Sequence, residues 1–296
     1  MNGILNINKP RGNTSFSIVA FIKRLTSEQR VGHGGTLDPL ATGVLPIFVG
    51  RATRVTEYLS ETNKTYQAKV EFGITTDTYD ATGKIIDRKD LAGITHQRIT
   101  SALKHFCGQI KQIPPMYSAL KHDGTPLYKL ARAQITIERQ PRLIQIYRLK
   151  LIKWQTPELT LEIECGKGTY IRSLAHDIGQ FLGCGAHLTH LVRTSYGPFQ
   201  LATSISVSNL RSVTNSGDLG KWLLPIDTVL TKWPAIILNE TEVNNIGHGR
   251  PIETTALPSH INIDESRYRA YTSDGIFVAT LRKNDKHQLY PEKVFI

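Results

Sequence analysis

Cysteine is scarce in this chain: three residues among 296, Cys107, Cys165 and Cys184, with no Cys-x-x-Cys pair. So few, odd in number and scattered, they exclude a disulfide scaffold. Long apolar runs are missing too. None approaches the ~18 residues that a membrane span requires, so no membrane partner is expected. Internal repeats and low-complexity tracts are absent. The opening residues lack the basic-then-apolar order and small-residue cleavage site of a secretory signal, and a reducing cytoplasm is the expected location. The last shortage is of negative charge: 25 Asp and Glu face 36 Lys and Arg, a formal net charge of +11. What remains is ordinary, 40% hydrophobic with a mean hydropathy of -0.22, and long enough for one large core or two domains.

The positive excess is uneven. Residues 1–239 carry 29 basic and 17 acidic residues, whereas residues 240–296 carry 7 and 8. Residues 110–153 alone hold nine basic side chains, Lys129 and Arg132 among them, against Asp123 and Glu138. A local +7 is the footprint expected of a polyanion partner, although a solvated basic surface fits the same numbers.

Periodicity predicts mixed strands and helices, an α/β or α+β sheet protein. Ile18, Phe21, Ile22 and Leu25 recur at helical spacing behind Thr14 or Ser15 as N-cap. Tyr66, Ala68, Val70 and Phe72 alternate with polar residues, which predicts a half-buried strand whose inner row begins at Tyr66. A helix is expected from Gln97 to Phe106 behind Thr95, and another at Pro126–Ala133 that presents Lys129 and Arg132 together. A strand near Leu159–Cys165, a Gly166-Lys167-Gly168 turn and a helix carrying Ile171, Leu174, Ile178 and Leu182, capped by Thr169, follow. A Ser/Thr/Asn-rich stretch at 203–218 and the change in charge place a domain boundary near 235. Residues 1–235 form the larger domain and 236–296 a small β-rich one.

The densest unusual segment is Gly32-His33-Gly34-Gly35-Thr36-Leu37-Asp38-Pro39-Leu40-Ala41-Thr42-Gly43. Four glycines with a Pro describe a loop of defined shape, of the kind that presents side chains at a surface. Pro39 biases Asp38 towards an extended backbone. Taken alone, Asp38 reads as a turn residue bonded to the backbone, His33 as a structural or surface histidine, and Tyr66 as a core tyrosine.

This loop resembles the catalytic loop of the TruB family of tRNA pseudouridine synthases, and further segments resemble that family in order. They are Asn8-Lys9-Pro10 with Gly12 and Thr14-Ser15; Lys64-Thr65-Tyr66, then Gly73, Thr76-Asp77-Thr78 and Asp80-Ala81-Thr82-Gly83; and Pro114-Pro115-Met116-Tyr117-Ser118-Ala119. Gly166-Lys167-Gly168-Thr169-Tyr170-Ile171-Arg172-Ser173-Leu174, then Cys184-Gly185-Ala186-His187-Leu188 and Leu191 with Arg193-Thr194, complete the series. The resemblance implies a pseudouridine synthase catalytic domain with a central, mostly antiparallel sheet and a small C-terminal domain of the PUA type. It implies conversion of the T-loop uridine at tRNA position 55 to pseudouridine. The N1–C1′ bond breaks, the uracil turns, and it rejoins through C5. That isomerisation inherently needs no redox change, phosphate donor or metal, so no cofactor is expected.

By the same resemblance Asp38 is the nucleophilic carboxylate, which a covalent intermediate would use. Arg172 pairs with it, and Tyr66 stacks on the uracil and takes a proton at a later step. Tyr170 packs on the target nucleotide and Leu191 lines the apolar side of the pocket. His33 fills the vacancy left when the base flips out, at a cost of a few kcal/mol. Lys9 and Pro10 support the loop. The basic segment at 110–153, with Lys129 and Arg132, grips the phosphates of the tRNA T arm in a salt-dependent manner. A monomer without an obligate protein partner is expected.

Two alternatives use the same residues: a tRNA-folding chaperone with catalysis secondary, and an RNA-guided relative acting on ribosomal RNA. The Asp38, Tyr66 and Arg172 set favours an enzyme, because a chaperone has no need of that carboxylate. Gly166-Lys167-Gly168-Thr169 lacks the upstream Gly and the Lys-Ser/Thr pair of a P-loop. Cys165, Cys184, His187 and His190 fit no common zinc spacing. In the small domain Arg250, Arg267 and Arg269 are the basic residues available to meet RNA.

Overall fold

The computed structural model describes residues 1–215, 218–253, 266–284 and 288–296. The chain runs β1 (Gly3–Lys9), α1 (Ser15–Thr26), β2 (Val31–His33), β3 (Thr42–Val49), a 3-10 segment (Gly50–Val55), α2 (Thr56–Ser60), β4 (Lys64–Phe72), β5 (Ile74–Thr76), β6 (Ile85–Arg88) and α3 (His96–His105). It continues through β7 (Gly108–Gln112), β8 (Lys121–His122), β9 (Thr125–Pro126), α4 (Leu127–Arg132), β10 (Arg142–Gln155), β11 (Glu158–Cys165), α5 (Ile171–Leu182) and β12 (Ala186–Tyr196). Then come β13 (Phe199–Gln200), β14 (Ile205–Ser206), α6 (Val207–Asn215), β15 (Leu223–Leu224), β16 (Ala235–Ile237), α7 (Glu240–Gly247), β17 (Ile252–Glu253), β18 (Arg267–Tyr271), β19 (Phe277–Lys283) and β20 (Gln288–Val294).

An eleven-stranded mixed sheet forms the centre, with the path β14-β1-β3-β12-β4-β11-β10-β7 and β13, β15 and β2 paired at its side. Its neighbours are antiparallel except β14 beside β1 and β3 beside β12. The unbroken apolar run of β3 follows from burial on both faces. Leu45, Ile47 and Val49 enter the main core under α1, α3 and α5, while Val44 and Phe48 point into a second core with Tyr58, Tyr196 and Phe199. The expected alternation in β4 is present: Tyr66, Ala68, Val70 and Phe72 are all buried. A separate five-stranded sheet, β16-β18-β19-β20-β17, has its own core around Ile236, Tyr268 and Leu281. The fold class is therefore mixed α/β with a β-rich C-terminal domain. No helix among the described residues is long and apolar enough to cross a membrane.

Local signals account for the starts of α1 and α3. Thr14 caps α1 by accepting from the Ser17 N–H at 3.0 Å, and Thr95 caps α3 by accepting from Arg98. The expected cap of α5 is corrected. Tyr170 holds the N-cap position with no side-chain cap, and the Thr169 hydroxyl instead donates to the Gly166 carbonyl at 3.2 Å. The Tyr170 N–H is satisfied from outside the helix, by Gln112 Oε1 at 2.9 Å, while Gln112 Nε2 donates back to the Tyr170 carbonyl. The start of α5 is thus pinned by a tertiary partner at Tyr170 rather than by a local side-chain cap, and Thr169 closes the preceding turn.

Candidate active site

The loop between β2 and β3 is held from three sides. Gly34 donates to the Pro46 carbonyl, and its own carbonyl accepts from the Tyr196 hydroxyl at 2.8 Å. A Cβ on Gly34 would lie 2.6 Å from Leu59 Cδ2 and 3.0 Å from Phe48 Cε2, so a side chain here would have to displace part of the second core. From the other side, the Ser15 hydroxyl brackets Leu37, donating to its carbonyl and accepting from its N–H. Gly12 donates to the Pro39 carbonyl at 2.8 Å. The Asn8–Ser15 segment thus grips both residues flanking Asp38.

Lys9 explains how that segment keeps its shape. It is fully buried, and its ammonium donates to the carbonyls of Pro10 and Asn13 at 3.0 and 2.7 Å. Burial brings its pKa down to about 8, with Asp38 acting in the opposite sense. Its observed contacts are with the backbone that supports the loop.

The Asp38 carbonyl closes its turn, accepting from the Ala41 N–H at 3.0 Å, but its carboxylate points elsewhere. Its Oδ2 lies 2.8 Å from Arg172 Nε, and its Oδ1 accepts from Arg172 Nη2 at 3.3 Å, a two-point contact. Arg172 is on the first turn of α5 and almost wholly buried. Its remaining donors reach the carbonyls of Thr78 at 3.3 Å and Tyr117 at 2.8 Å, which fixes the guanidinium plane. Burial raises the Asp38 pKa; Arg172 and Lys9 oppose that rise, and a second carboxylate, Asp80, adds to it. Arg172 offsets the desolvation without cancelling it.

Asp80 was visible in the sequence but had no role assigned. It is buried, and Oδ1 is saturated by the hydroxyls of Thr78 at 2.9 Å and Thr82 at 2.6 Å and by the Thr82 N–H at 2.9 Å. Its Oδ2 faces Arg172 Nε at 3.7 Å. The signal that marks it is a carboxylate flanked by Thr at both i-2 and i+2, because such hydroxyls fix a carboxylate's rotamer. One guanidinium therefore stands between two carboxylates, one aimed by Thr hydroxyls and one presented by the glycine loop.

Tyr66 and Arg193 form the neighbouring wall. They are register partners across β4 and β12. Arg193 is buried, donating to the carbonyls of Val44 at 2.7 Å and Gly35 at 3.1 Å. Burial pushes the Tyr66 phenol up to about 12, while the adjacent Arg193 favours the phenolate. Leu191, on the same strand as Arg193, packs into the main core with Tyr66. Arg193 is a second residue that sequence reasoning passed over; only the β4–β12 register gives it a task.

His33 ends β2 with its Nδ1 buried and unpartnered, and burial together with Arg193 lowers its pKa. A neutral planar ring is the result. Tyr170 is half-buried and clamped by Gln112 as described.

The basic 110–153 segment divides in two. From the Arg172 contact at Tyr117, the chain leaves the sheet as the β8–β9 hairpin and α4, where Lys129 and Arg132 are exposed and the Arg132 guanidinium lies over Tyr128. Arg148, on β10, is instead paired with Glu162 at 2.9 Å and Glu164 at 3.8 Å. The segment is not one uniform cationic surface. In the small sheet, Arg267 pairs with Glu292 and lies over Tyr58 and Trp233, and Arg269 donates to the Trp233 carbonyl and faces Asp227. Both were candidates to meet RNA; their observed contacts join the small sheet to the rest of the chain. Arg250 remains exposed.

Comparison with known proteins bears on this geometry. The N-terminal domain profile of the TruB family of pseudouridylate synthases matches residues 23–171. A profile of the tRNA pseudouridylate synthase B C-terminal domain matches residues 172–231, ending before the five-stranded sheet. The chain is 46% identical to tRNA pseudouridine synthase B of Dehalococcoides mccartyi, over 100% of this chain and 97% of the relative. It is 40% identical to the protein of that name from Clostridium kluyveri, over 100% of both. Among solved structures it is similar to a chain of a Cbf5-Nop10-Gar1 complex, with TM-score 0.77 and 27% identity, covering 99% of this chain and 85% of that one.

Proposed function

The chain belongs to the TruB family of pseudouridylate synthases, and from that premise we propose that it isomerises the uridine at position 55 in the T loop of tRNA. The observation that carries the chemistry is the Asp38–Arg172 contact, a partly exposed carboxylate held at two points by a buried guanidinium that is itself fixed. Asp38 acts as the nucleophile. Attack at the sugar C1′, addition to the base, or proton removal at the ribose would each begin at that same carboxylate. In each case the N1–C1′ bond breaks, the uracil turns, C5 bonds to C1′, the C5 proton leaves and N1 takes up a proton, so that the net change is an isomerisation.

The other residues divide the remaining work. Tyr66 stacks on the uracil beside Leu191. As a proton acceptor it must first give up its own proton, which Arg193 favours and burial opposes. A neutral His33 occupies the gap left by the flipped base, since a flat uncharged ring replaces a stacked base at little desolvation cost. Tyr170 packs on the target nucleotide. Lys9 and Pro10 hold the loop, and Lys129 and Arg132 meet T-arm phosphates. Residues 236–296 serve as a PUA-type unit on a catalytic domain of residues 1–235. The enzyme works as a cytoplasmic monomer.

The test is pseudouridine formation in an unmodified tRNA transcript, mapped by position, for wild type and Asp38→Asn, beside the affinity of each for the same RNA. Modification at position 55 that is lost in the variant while binding persists is the expected outcome. Tight binding by wild type with no modification would overturn the reading and favour a chaperone or a guided ribonucleoprotein component.

A further inference from the structure

We propose that the stacked pair Tyr79–His176 is a positioning device that sets where Asp80 meets Arg172, and through Arg172 how Asp38 is aimed. Tyr79 lies between the two residues of its turn that hold Arg172, Thr78 through its carbonyl and Asp80 through Oδ2. Its φ is 64°, a left-handed conformation that is an outlier for a bulky side chain. Such a residue persists only where its surroundings over-determine it. Here the Tyr79 N–H donates to the Thr76 carbonyl at 3.2 Å, and its carbonyl accepts from Leu188 at 3.0 Å. The reversal lets the Thr78 carbonyl and the Asp80 carboxylate face one guanidinium.

The ring secures the turn from the other side. It stacks on His176 with centroids 3.9 Å apart and planes 19° from parallel. His176 follows Arg172 by four residues on α5, so both project from one face of that helix. The stack therefore ties the Thr78–Asp80 turn to the same helix face that carries the guanidinium. Burial lowers the His176 pKa, which keeps a second cation away from Arg172, and its buried Nδ1 has no hydrogen-bond partner. The imidazole serves by its flat face rather than by hydrogen bonding at Nδ1. If backbone hydrogen bonds alone held the turn, the rings would fill space and nothing more.

This role rests on the reading of Asp38 given above. It is tested by single-turnover assays with enzyme in excess over unmodified tRNA transcript, scoring total and position-mapped pseudouridine together with tRNA affinity and melting temperature. His176→Ala is expected to slow pseudouridine formation about tenfold or more while leaving tRNA affinity within about twofold. His176→Phe, which keeps a flat ring, recovers the rate to within about threefold. Tyr79→Gly, which removes the ring but takes the positive φ freely, reproduces the defect and keeps the test open if His176→Ala fails to fold. The double variant is no slower than either single one, as expected of two halves of one device.

A His176→Ala rate equal to wild type, a His176→Phe variant as slow as His176→Ala, or multiplicative losses in the double variant would each overturn the proposal. Pseudouridine found only at other positions would overturn the position-55 reading and leave the His176 comparison intact. An Asp38→Asn variant as fast as wild type would overturn both.

Discussion

The two sheets put arginine to opposite uses. At the central sheet Arg172, on helix α5, and Arg193, on strand β12, are almost wholly buried, and their donors reach carbonyl oxygens and, for Arg172, two carboxylates. In the small sheet Arg267 and Arg269 keep contact with solvent while bridging Glu292, Asp227 and the rings of Tyr58 and Trp233. A desolvated guanidinium with every donor directed can orient a reacting carboxylate, because the low local dielectric makes each contact strong. A half-solvated guanidinium over an aromatic face contributes adhesion. Residue type alone does not separate these roles; burial and the partner atoms do.

That contrast is open to direct attack. The largest effect is expected for Arg172→Lys, which keeps the charge and loses the fork: the single-turnover rate should fall by about a hundredfold or more, since one ammonium cannot meet Asp38, Asp80 and two carbonyls at once. A lysine variant within a few fold of wild type would remove the distinction between the two regions. Next comes Phe295→Ala in the contact between the sheets, where Phe295 packs with Phe277 and below the Arg54 guanidinium. It should cost about 3 kcal/mol of stability in urea titration and leave the rate constant of folded enzyme near wild type.

Weaker effects belong to solvated charge. Replacing both Lys129 and Arg132 by Ala should weaken tRNA binding and reduce the slope of log affinity against log salt by roughly 1.5. Arg148→Ala, which removes an exposed ion pair, should leave that slope unchanged. The smallest expected shift is in pH dependence. Asp38 is raised chiefly by burial, so the acid limb of kcat/KM should lie above the ordinary carboxylate range, and Asp80→Asn should move it to lower pH by removing a like charge. The linkage has a definite sign. A carboxylate whose folded pKa is raised favours the fold at low pH, and that contribution is lost as pH rises through its folded pKa. Asp38→Asn should therefore be at least as stable as wild type at neutral pH by thermal melting.

Where the code is local, it could be read directly. Thr14 and Thr95 announce their helices, the alternation from Tyr66 to Phe72 announces its strand, and the glycines at 32, 34, 35 and 43 announce a shaped loop. Thr169 does not cap α5 because the helix starts one residue later, behind Tyr170, whose backbone is held by Gln112, 58 residues away along the chain. Asp80 and Arg193 sat in plain view without a task, since neither has a sequence neighbour that defines one. The segment at 110–153 carries a local +7 in sequence, but the pairing of β10 with β11 sets Glu162 and Glu164 against Arg148.

The sequence by itself determined the starts of α1 and α3, the inner row of β4, the shape-bearing loop and the excess of positive charge, because each depends on local residues or on composition. Only the tertiary structure decided that Arg172 stands between Asp38 and Asp80, that Tyr66 faces Arg193, and that the arginines of the small sheet face its neighbour. The Asp38–Arg172 pair alone joins residues 134 positions apart. What places them is register in a mixed sheet together with the desolvation that turns each contact into a directed one, and neither is a property of any short stretch of chain.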